Sequence, residues 1–308
     1  MSKLTIVMYH YVRPIKNSEF PNIKGLEFDS FIKQLDYLQE NFSVVTNDDV
    51  ISSVKHKSKL PENACWLTFD DGYKDHHEYV LPELVRRNIV GAFFPPKVAI
   101  KDSKMLNVNS IHHILACCNN FDDLMFKLKN LSISFGMSQR ELDNFFLKYA
   151  VSNRFDNSST IFVKRMLQDV LPENIRNKIT SLLFKEYVGT SQSDFAKKLY
   201  MNKEEISNLI KNNMFVGSHG SMHYRLDQIS EEEQRNDLNQ SLEFLEEIGA
   251  QVSDWVMCYP YGAYNDKTIS IVKELGAIMG ITTEARDAFI GKDNPLTLPR
   301  LDTNDFPQ

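Results

Sequence analysis

The sequence of 308 residues predicts an α/β fold in which parallel strands form the centre and helices cover the outside. Two observations lead to this prediction. Short apolar runs typical of buried strands alternate along the chain with segments of helical periodicity. Polar groups directly follow several of these runs, as expected where parallel strands end at one edge of a sheet. The pattern fits a closed barrel and an open sheet equally well.

The N-terminal part of the chain contains three predicted strands and two predicted helices. Strands are predicted where short apolar runs occur, over 4–9, 64–69 and 90–94. Helices are predicted where apolar residues recur at helical spacing, over 31–38 and 79–87. Because strands and helices alternate here, this part of the chain predicts the beginning of a parallel sheet.

A long segment after the third strand differs in composition. It is polar, lacks strand alternation and has helical periodicity over 111–118, 124–131, 142–149 and 161–171. This periodicity argues against a disordered linker. We therefore predict a single domain over 1–308 that is interrupted by a helical insertion at about 105–200.

The alternation of strands and helices resumes after the insertion. Two helices are predicted to begin at capping boxes, one formed by Asn202 with Glu205 and one by Ser230 with Glu233. Another helix is predicted to end at Gly276. Strands are predicted over 215–218, 256–259 and 279–283.

Charge and hydropathy exclude some classes of protein. The net charge of −6 argues against a nucleic-acid ligand, which usually requires a basic surface. No apolar run approaches the roughly 18 residues of a membrane span. The apolar run before His10 has six residues, too few for a signal peptide. We therefore expect a cytoplasmic protein, with peripheral membrane association left open and no prediction of oligomeric state.

Two adjacent carboxylates, Asp70 and Asp71, follow the strand predicted over 64–69. Neighbouring side chains of an extended strand point to opposite faces, but both can reach one cavity where the strand turns. One carboxylate can then bind a metal ion while the other acts as a base. A solvated turn is the alternative interpretation.

Two histidines, His219 and His223, lie four positions apart after another predicted strand. They can face one metal ion if the backbone between them turns, whereas a polar loop is the alternative. The adjacent histidine pairs at 76–77 and 112–113 lie on predicted helices. Their side chains should diverge by about 100°, so we exclude both pairs from the site.

Two further polar features lie at strand ends. Pro260, Tyr261 and Gly262 predict a tight turn that can direct a backbone N–H into a cavity as an oxyanion donor. We also expect Pro260 to contact the substrate, although a purely structural turn is the alternative. His10 closes the first strand, where an imidazole is suited to act as a general acid. A structural histidine is the alternative there.

These features are more informative together. Asp71, His219 and His223 supply one carboxylate and two imidazoles, which leave a position for water as in catalytic zinc sites. Zn²⁺ is the expected ion, although Co²⁺, Ni²⁺ or Fe²⁺ fit similar ligands. Asp70 and His10 can then serve as base and acid.

At these motifs the chain resembles the polysaccharide deacetylase superfamily, also called the NodB-homology or family 4 carbohydrate esterases. The resemblance rests on T-F-D-D-G at 68–72, H-G-S-M-H at 219–223 and Y-P-Y-G at 259–262. It covers about 1–100 and 200–302 and leaves the helical insertion unexplained. It implies a distorted (β/α)7 barrel of the NodB type, here with a helical insertion.

The resemblance also implies an activity and a role for each motif residue. Asp70 would be the catalytic base, and Asp71, His219 and His223 the metal ligands. The backbone N–H of Tyr261 would help to bind the oxyanion. The implied enzyme is a metal-dependent hydrolase that removes an N-acetyl group from an amino sugar. Hydrolysis of an O-acyl group or another amide, and a catalytically silent glycan-binding module, stay open as alternatives.

The chain departs from the family pattern at two places. Cys258 stands where the third motif usually begins with arginine, and the segment 298–302 lacks the usual Leu-x-His. Both departures resemble the branch that includes poly-N-acetylglucosamine deacetylases. There the acid histidine comes from an early Tyr-His motif, matched here by Tyr9 and His10. Arg300 is the candidate to replace the missing arginine and bind substrate, with a surface or structural arginine as the alternative.

The substrate expected from these observations is a precursor. Without a secretion signal, we expect an amino sugar linked to a nucleotide or a lipid in surface-polysaccharide synthesis. The insertion follows the strand predicted over 90–94 and could form a wall or lid of a pocket for such a substrate. A stabilising or dimerising role for the insertion is the alternative.

Overall fold

A computed structural model describes residues 2–152 and 156–307 of the chain. The strands in these residues are β1 Ser2–Tyr9, β2 Val12–Arg13, β3 Leu26–Glu27, β4 Ser43–Val44, β5 Ala64–Asp70, β6 Ala92–Phe94, β7 Phe215–Val216, β8 Val256–Cys258, β9 Met279–Ile281, β10 Ala288–Ile290 and β11 Leu301–Asp302. The α-helices are α1 Phe28–Asn41, α2 Asn47–His56, α3 Leu81–Arg86, α4 Lys97–Ile100, α5 Asn107–Cys117, α6 Phe121–Ser134, α7 Gln139–Tyr149, α8 Ser158–Arg165, α9 Glu173–Val188, α10 Gln192–Leu199, α11 Lys203–Lys211, α12 Glu231–Glu247 and α13 Asp266–Glu274. A π-helical turn at His76–Val80 leads directly into α3.

Seven parallel strand segments close into a distorted barrel. β1 pairs with β5, β5 with β6, and β6 with β7, all in parallel. A parallel bridge joins Ser218 to Met257 of β8, and β8 pairs with β9. A second bridge joins Ile281 of β9 to Leu298, and β11 then pairs with β1 to complete the circuit. The predicted parallel α/β fold is confirmed, and the chain adopts the closed form.

Alternate residues of successive strands fill the barrel interior. Such alternation is expected because neighbouring side chains of a strand point to opposite faces. One buried apolar cluster contains Leu4, Ile6, Ala64, Trp66, Ala92, Phe94, Val256, Cys258, Met279, Ile281 and Leu298. Continuing the same alternation toward the carboxyl ends of the strands brings Thr68, Asp70 and Arg300 to inward positions. Polar residues therefore follow the apolar interior at one end of the barrel.

Helices cover the outside of the barrel at β8. The side chains of Trp255, Met257 and Tyr259 alternate along the chain with the interior side chains, so they point out of the barrel. They form a separate buried cluster with Leu238 of α12 and Ile271 of α13. Amphipathic helices thus bury their apolar faces against the outer surface of the strands, as expected for alternating β and α units.

The described chain divides into two compact units. The first comprises Met1–Ile15, Gly25–Lys104 and Lys197–Gln308 and contains the barrel strands. The second comprises Lys16–Lys24 and Met105–Ala196. This second unit is helical, and its core includes the fully buried side chains of Leu124, Leu128, Phe162, Leu167 and Leu183.

Over 2–152 and 156–307, no helix is both long and apolar enough to cross a membrane.

Candidate active site

Polar side chains occupy the end of the barrel interior where the strands finish. Asp70 is the last residue of β5, Cys258 is the last residue of β8, and Arg300 immediately precedes β11. All three side chains are buried. Functional groups of parallel barrels typically lie at this end, because several strands deliver their last residues to one place.

The guanidinium of Arg300 directs all five of its N–H groups at acceptors inside the barrel. Nη1 and Nη2 donate to the two carboxylate oxygens of Asp70, at 2.9 and 2.8 Å. The remaining three N–H groups donate to Thr68 Oγ1, Cys258 Sγ and the carbonyl of Thr282. With only 1% of its surface exposed, Arg300 is not a surface arginine. The substrate contact predicted for Arg300 stays a prediction.

The ion pair controls the protonation of Asp70. Burial opposes the charged carboxylate, but Arg300 outweighs burial and lowers the pKa of Asp70 to about 2. The carboxylate is therefore ionised at neutral pH, as a group that accepts a proton from water must be.

Asp71 reaches the same cavity because the backbone changes conformation at this residue. Its φ is 72°, in the left-handed region, and Gly72 continues the turn at φ 69°. In a continuous strand Asp71 would point away from Asp70. A non-glycine residue in this conformation is strained, and such strain is often found at functional sites. The hydroxyl of Tyr73 donates to Asp71 Oδ2 at 2.5 Å, which fixes the orientation of the carboxylate.

Both histidines of the second motif approach the other oxygen of Asp71. His219 Nε2 and His223 Nε2 each lie 3.3 Å from Asp71 Oδ1, and all three side chains are buried. His219 Nδ1 lies 2.7 Å from the carbonyl of Cys258. Since a carbonyl only accepts hydrogen bonds, Nδ1 carries the proton in the neutral ring and the Nε2 lone pair remains available to a metal ion.

The loop between the two histidines is shaped by Asp237 of α12. Its carboxylate accepts hydrogen bonds from the backbone N–H groups of Ser221 and Met222, at 2.9 and 2.7 Å. Gly220 has a φ of 71°, and a Cβ at this position would lie 2.7 Å from Asp237 Oδ2. Only glycine therefore fits there. His223 itself has a φ of 57°, and this turn brings its ring to the first histidine.

Asp71, His219 and His223 form a candidate metal centre. Their potential ligand atoms all lie within 4.8 Å of one another. Ligand atoms bound to a tetrahedral ion at about 2.1 Å are about 3.4 Å apart, similar to the 3.3 Å separations from Asp71 Oδ1. One carboxylate and two imidazoles suit Zn²⁺ and also Co²⁺, Ni²⁺ or Fe²⁺. The donor set therefore fits a divalent ion.

His10 lies beside Asp70 although the two residues are far apart in the sequence. The strands that lead to them, β1 and β5, are neighbours in the sheet, and Tyr9 of β1 pairs with Phe69 of β5. His10 and Asp70 therefore lie at the same height along the two strands. His10 Nε2 lies 3.9 Å from Asp70 Oδ2. The His10 side chain is 40% exposed, whereas that of Asp70 is 2% exposed. The imidazole can therefore meet a molecule entering from solvent.

The turn after β8 lies against the candidate metal centre. Pro260 begins a 3-10 turn and is buried, and Tyr261 follows at a φ of 60°. The ring of Tyr261 packs edge-on against the His223 ring, with centroids 4.8 Å apart. The guanidinium of Arg225 lies 5.8 Å from the centre of the same tyrosine ring. The substrate contact of Pro260 and the oxyanion contact of Tyr261 stay predictions.

Solved structures share this fold at low sequence identity. The Streptococcus pyogenes deacetylase PplD, solved in complex with acetate, matches with a TM-score of 0.60 and 16% identity, over 97% of this chain and 92% of its own. IcaB from Ammonifex degensii has a TM-score of 0.58 and 17% identity, with 98% and 91% covered. A de-N-acetylase from Aggregatibacter actinomycetemcomitans has a TM-score of 0.55 and 16% identity, with 97% and 94% covered. The NodB-type barrel predicted from the motifs is thereby confirmed.

Residues 150–280 match the sequence model of the family described as polysaccharide deacetylase. The matching range contains both histidines of the second motif and the turn at 260–262. Over these residues the chain is similar to that family. No curated protein sequence matches it. The family match begins within the helical segment that the motifs left unexplained, and the carboxylates of the first motif lie outside it.

Cys258 stands at the position where the resemblance described above leads one to expect an arginine. The structure places a guanidinium there nevertheless, because Arg300 Nη2 lies 3.4 Å from Cys258 Sγ. The two positions point into the same barrel interior from different strands. A small residue at 258 leaves room for the arginine that arrives from 300.

Two polar residues of the candidate site were not predicted from the sequence. Tyr73, which orients Asp71, follows the first motif directly, and a hydroxyl so close to a candidate ligand was an available signal. Asp237 lies in a highly charged helix, where an acidic residue is usually solvated. Its signal was its position on the same helix face as Ser241 and Phe244, which lie four and seven positions further on and are buried.

Proposed function

We propose that this protein is a metal-dependent deacetylase that hydrolyses the N-acetyl group of an amino sugar. One observation carries the proposal. A ligand set for a divalent ion adjoins a carboxylate that Arg300 keeps ionised, and the exposed imidazole of His10 lies 3.9 Å from that carboxylate. These are the ion site, the base and the acid that hydrolysis of an amide requires.

The proposed mechanism assigns one proton transfer to each of two side chains. A divalent ion held by Asp71, His219 and His223 would supply Lewis acidity toward the acyl carbonyl and a water molecule. Asp70 accepts a proton from the attacking water, whose oxygen forms a bond to the acyl carbon. His10 donates a proton to the sugar nitrogen as the carbon–nitrogen bond breaks. Acetate and a free amine are the products.

Two further roles belong to the proposal. The backbone N–H of Tyr261 would donate to the oxygen that becomes negatively charged in the transition state, where such donors stabilise most. Arg300 would act only through Asp70, by holding its two oxygens and its negative charge in place. Neither role requires contact between Arg300 and the sugar.

Replacing His10 with alanine should lower kcat for an N-acetyl amino sugar by about 10²- to 10⁴-fold. An amine leaves poorly without a proton, whereas 4-nitrophenolate leaves without one. The same variant should therefore lose much less activity on 4-nitrophenyl acetate, with unchanged metal content. Steady-state kinetics on both substrates measures this difference. Near-wild-type turnover of the amino sugar would assign the acid to another group.

Acetate release from a substrate panel tests the proposed function. The panel contains N-acetylglucosamine, its oligomers, a polymeric form and an O-acetylated glycan. We expect the Zn²⁺-loaded protein to release acetate from N-acetylated members. Chelation should abolish the release, and added Zn²⁺, Co²⁺, Ni²⁺ or Fe²⁺ should restore it to different extents. Acetate from the O-acetylated member alone would support the esterase alternative. Binding without acetate release would support a silent glycan-binding module.

We further propose that the natural substrate bears a phosphate, as a nucleotide- or lipid-linked amino sugar does. Arg225 supports this, because its guanidinium lies over the Tyr261 ring and pairs with the exposed Asp227 at 3.2 Å. A phosphate could compete for that guanidinium. The panel therefore includes uridine-diphosphate-linked and lipid-linked N-acetylglucosamine. Efficient deacetylation of polymer with no reaction of either linked sugar would refute the precursor proposal. Cell fractionation tests the cytoplasmic or membrane-peripheral location proposed with it.

A further inference from the structure

His76 is a buried histidine that the proposed mechanism does not use. Its ring is fully buried among Phe69, Tyr73 and Phe93, with centroid distances of 5.6, 5.6 and 5.7 Å. It begins the π-helical turn His76–Val80, and such turns are frequent at functional sites. Burial lowers the pKa of His76 to about 4, so the ring is neutral at neutral pH.

The neutral ring of His76 donates a hydrogen bond to the backbone of His10. Its Nε2 lies 2.9 Å from the carbonyl oxygen of His10, and a carbonyl can only accept. The other ring nitrogen, Nδ1, is buried and has no hydrogen-bond partner among the described residues. Leaving a buried acceptor unsatisfied destabilises the folded state. Packing alone would therefore favour phenylalanine in this aromatic pocket, and the bond to His10 is what histidine adds.

Two more contacts hold the segment after β1 against the segment after β5. The rings of Tyr11 and Tyr73 stack with centroids 4.1 Å apart. Arg13 Nε lies 2.6 Å from Asp75 Oδ2 in a largely buried ion pair. Together with the bond to the His10 carbonyl, these contacts fix the path of the chain as it leaves the barrel.

We propose that His76 is a positioning residue that fixes the backbone of His10 and so sets the distance from its imidazole to Asp70. The His10 side chain is 40% exposed and approaches Asp70 only at 3.9 Å, so its own contacts restrain it weakly. A restraint on the backbone carbonyl of the same residue limits where the imidazole can lie. His76 thus acts through the proposed general-acid role of His10.

Three variants separate this role from a role in packing. His76→Phe keeps an aromatic ring but removes the donor, and His76→Gln keeps an N–H donor. His77→Phe is the matched control, because the adjacent His77 contacts Asn208 and not His10. For the N-acetyl amino sugar, we expect His76→Phe to lower kcat by roughly ten- to a hundredfold with little change in KM. His76→Gln should retain more activity than His76→Phe, and His77→Phe should match the wild type.

A double-variant cycle shows whether the effect passes through His10. In a His10→Ala background, His76→Phe should cause no further loss of kcat. A further loss of the same size as in the wild-type background would overturn the inference. Hydrolysis of 4-nitrophenyl acetate, which does not need the acid, should fall much less than amide hydrolysis in His76→Phe. If this variant does not fold, as judged by circular dichroism, His76→Leu replaces it in every comparison.

A spectroscopic measurement makes the result independent of deacetylase activity. In NMR spectra of the imidazole groups, the His10 resonances should shift in His76→Phe and stay unchanged in His77→Phe. Unchanged His10 resonances in His76→Phe would overturn the positioning role whether or not the protein releases acetate. Shifted resonances in a protein that releases no acetate would instead retain the positioning role and reject the proposed function.

Discussion

Asp70→Asn is expected to lower kcat by about 10²- to 10⁴-fold while the protein still binds its metal ion. Asparagine has nearly the same shape as aspartate but cannot accept a proton from water at neutral pH. The ligand atoms on Asp71 and the two histidines remain in place. Acetate release and metal content, measured on the same preparation, test both parts of this expectation.

Asp71→Asn, in contrast, should weaken the binding of the metal ion itself. It removes the negative charge from the only carboxylate of the candidate ligand set, so metal affinity should fall, by more than the 10- to 100-fold typical of partners outside the ligand set. Excess Zn²⁺ should recover part of the turnover of Asp71→Asn and none of that of Asp70→Asn. Equal metal loss in both variants would contradict the assignment of Asp70 as the base and Asp71 as a metal ligand.

Arg300→Met should destabilise the protein by about 3–5 kcal/mol, because it leaves the buried charge of Asp70 without its partner. Methionine fills much of the same volume, so the loss of charge pairing dominates. Arg235→Met is the matched control, since Arg235 forms an exposed pair with Glu274 and should cost less than about 1 kcal/mol. Denaturant unfolding of both variants measures the difference. Similar small losses in the two would contradict a strong internal ion pair.

The pH dependence of the same variant provides a second check. The pKa of Asp70 is lowered to about 2, below the usual value of about 3.9, so the pair stabilises the fold fully above about pH 4. This contribution is lost as the pH falls from about 4 toward 2. In Arg300→Met the strongest interaction that opposes burial is lost, so the pKa of Asp70 should rise. The stability deficit of the variant should therefore grow from acidic to neutral pH. Combining it with Asp70→Asn should remove most of the deficit.

The strands and caps of the barrel were largely predictable because their signals are local. The run at 4–9 lies within β1, and the run at 64–69 lies within β5. The predicted capping boxes at Asn202 and Ser230 begin α11 and α12. Apolar runs and caps depend on neighbouring residues only, so the sequence contains what is needed to find them.

The shortest elements and the closure of the barrel could not be predicted from local signals. β11 has two residues, and β4 also has two, so neither contains a periodic pattern long enough to recognise. The helix α2 was missed because its segment is polar, with buried residues such as Val50 and Ile51 among acidic ones. Closure of the barrel depends on pairing between distant segments, which one sequence does not encode as a local pattern.

The residues of the candidate site also differ in whether local sequence signals could predict them. Asp71, His219 and His223 lie in compact motifs, and the structure brings them together. Arg300 could be proposed as a site residue but not as the partner of Asp70, since the two residues lie 230 positions apart. The exclusion of the pair at 76–77 followed from helical geometry. That geometry places neighbouring side chains apart, but it does not reveal a hydrogen bond from one of them to the backbone of His10.

The origin of the guanidinium has a consequence for sequence searches. Arg300 and Cys258 are 42 positions apart, yet the arginine occupies the space beside the cysteine inside the barrel. A search that requires arginine at the start of the third motif would pass over this chain. A search that asks whether any segment delivers a guanidinium to the carboxylate of Asp70 would retain it. Ordered motifs therefore miss barrels in which another strand supplies the same group, because every strand has access to the same interior.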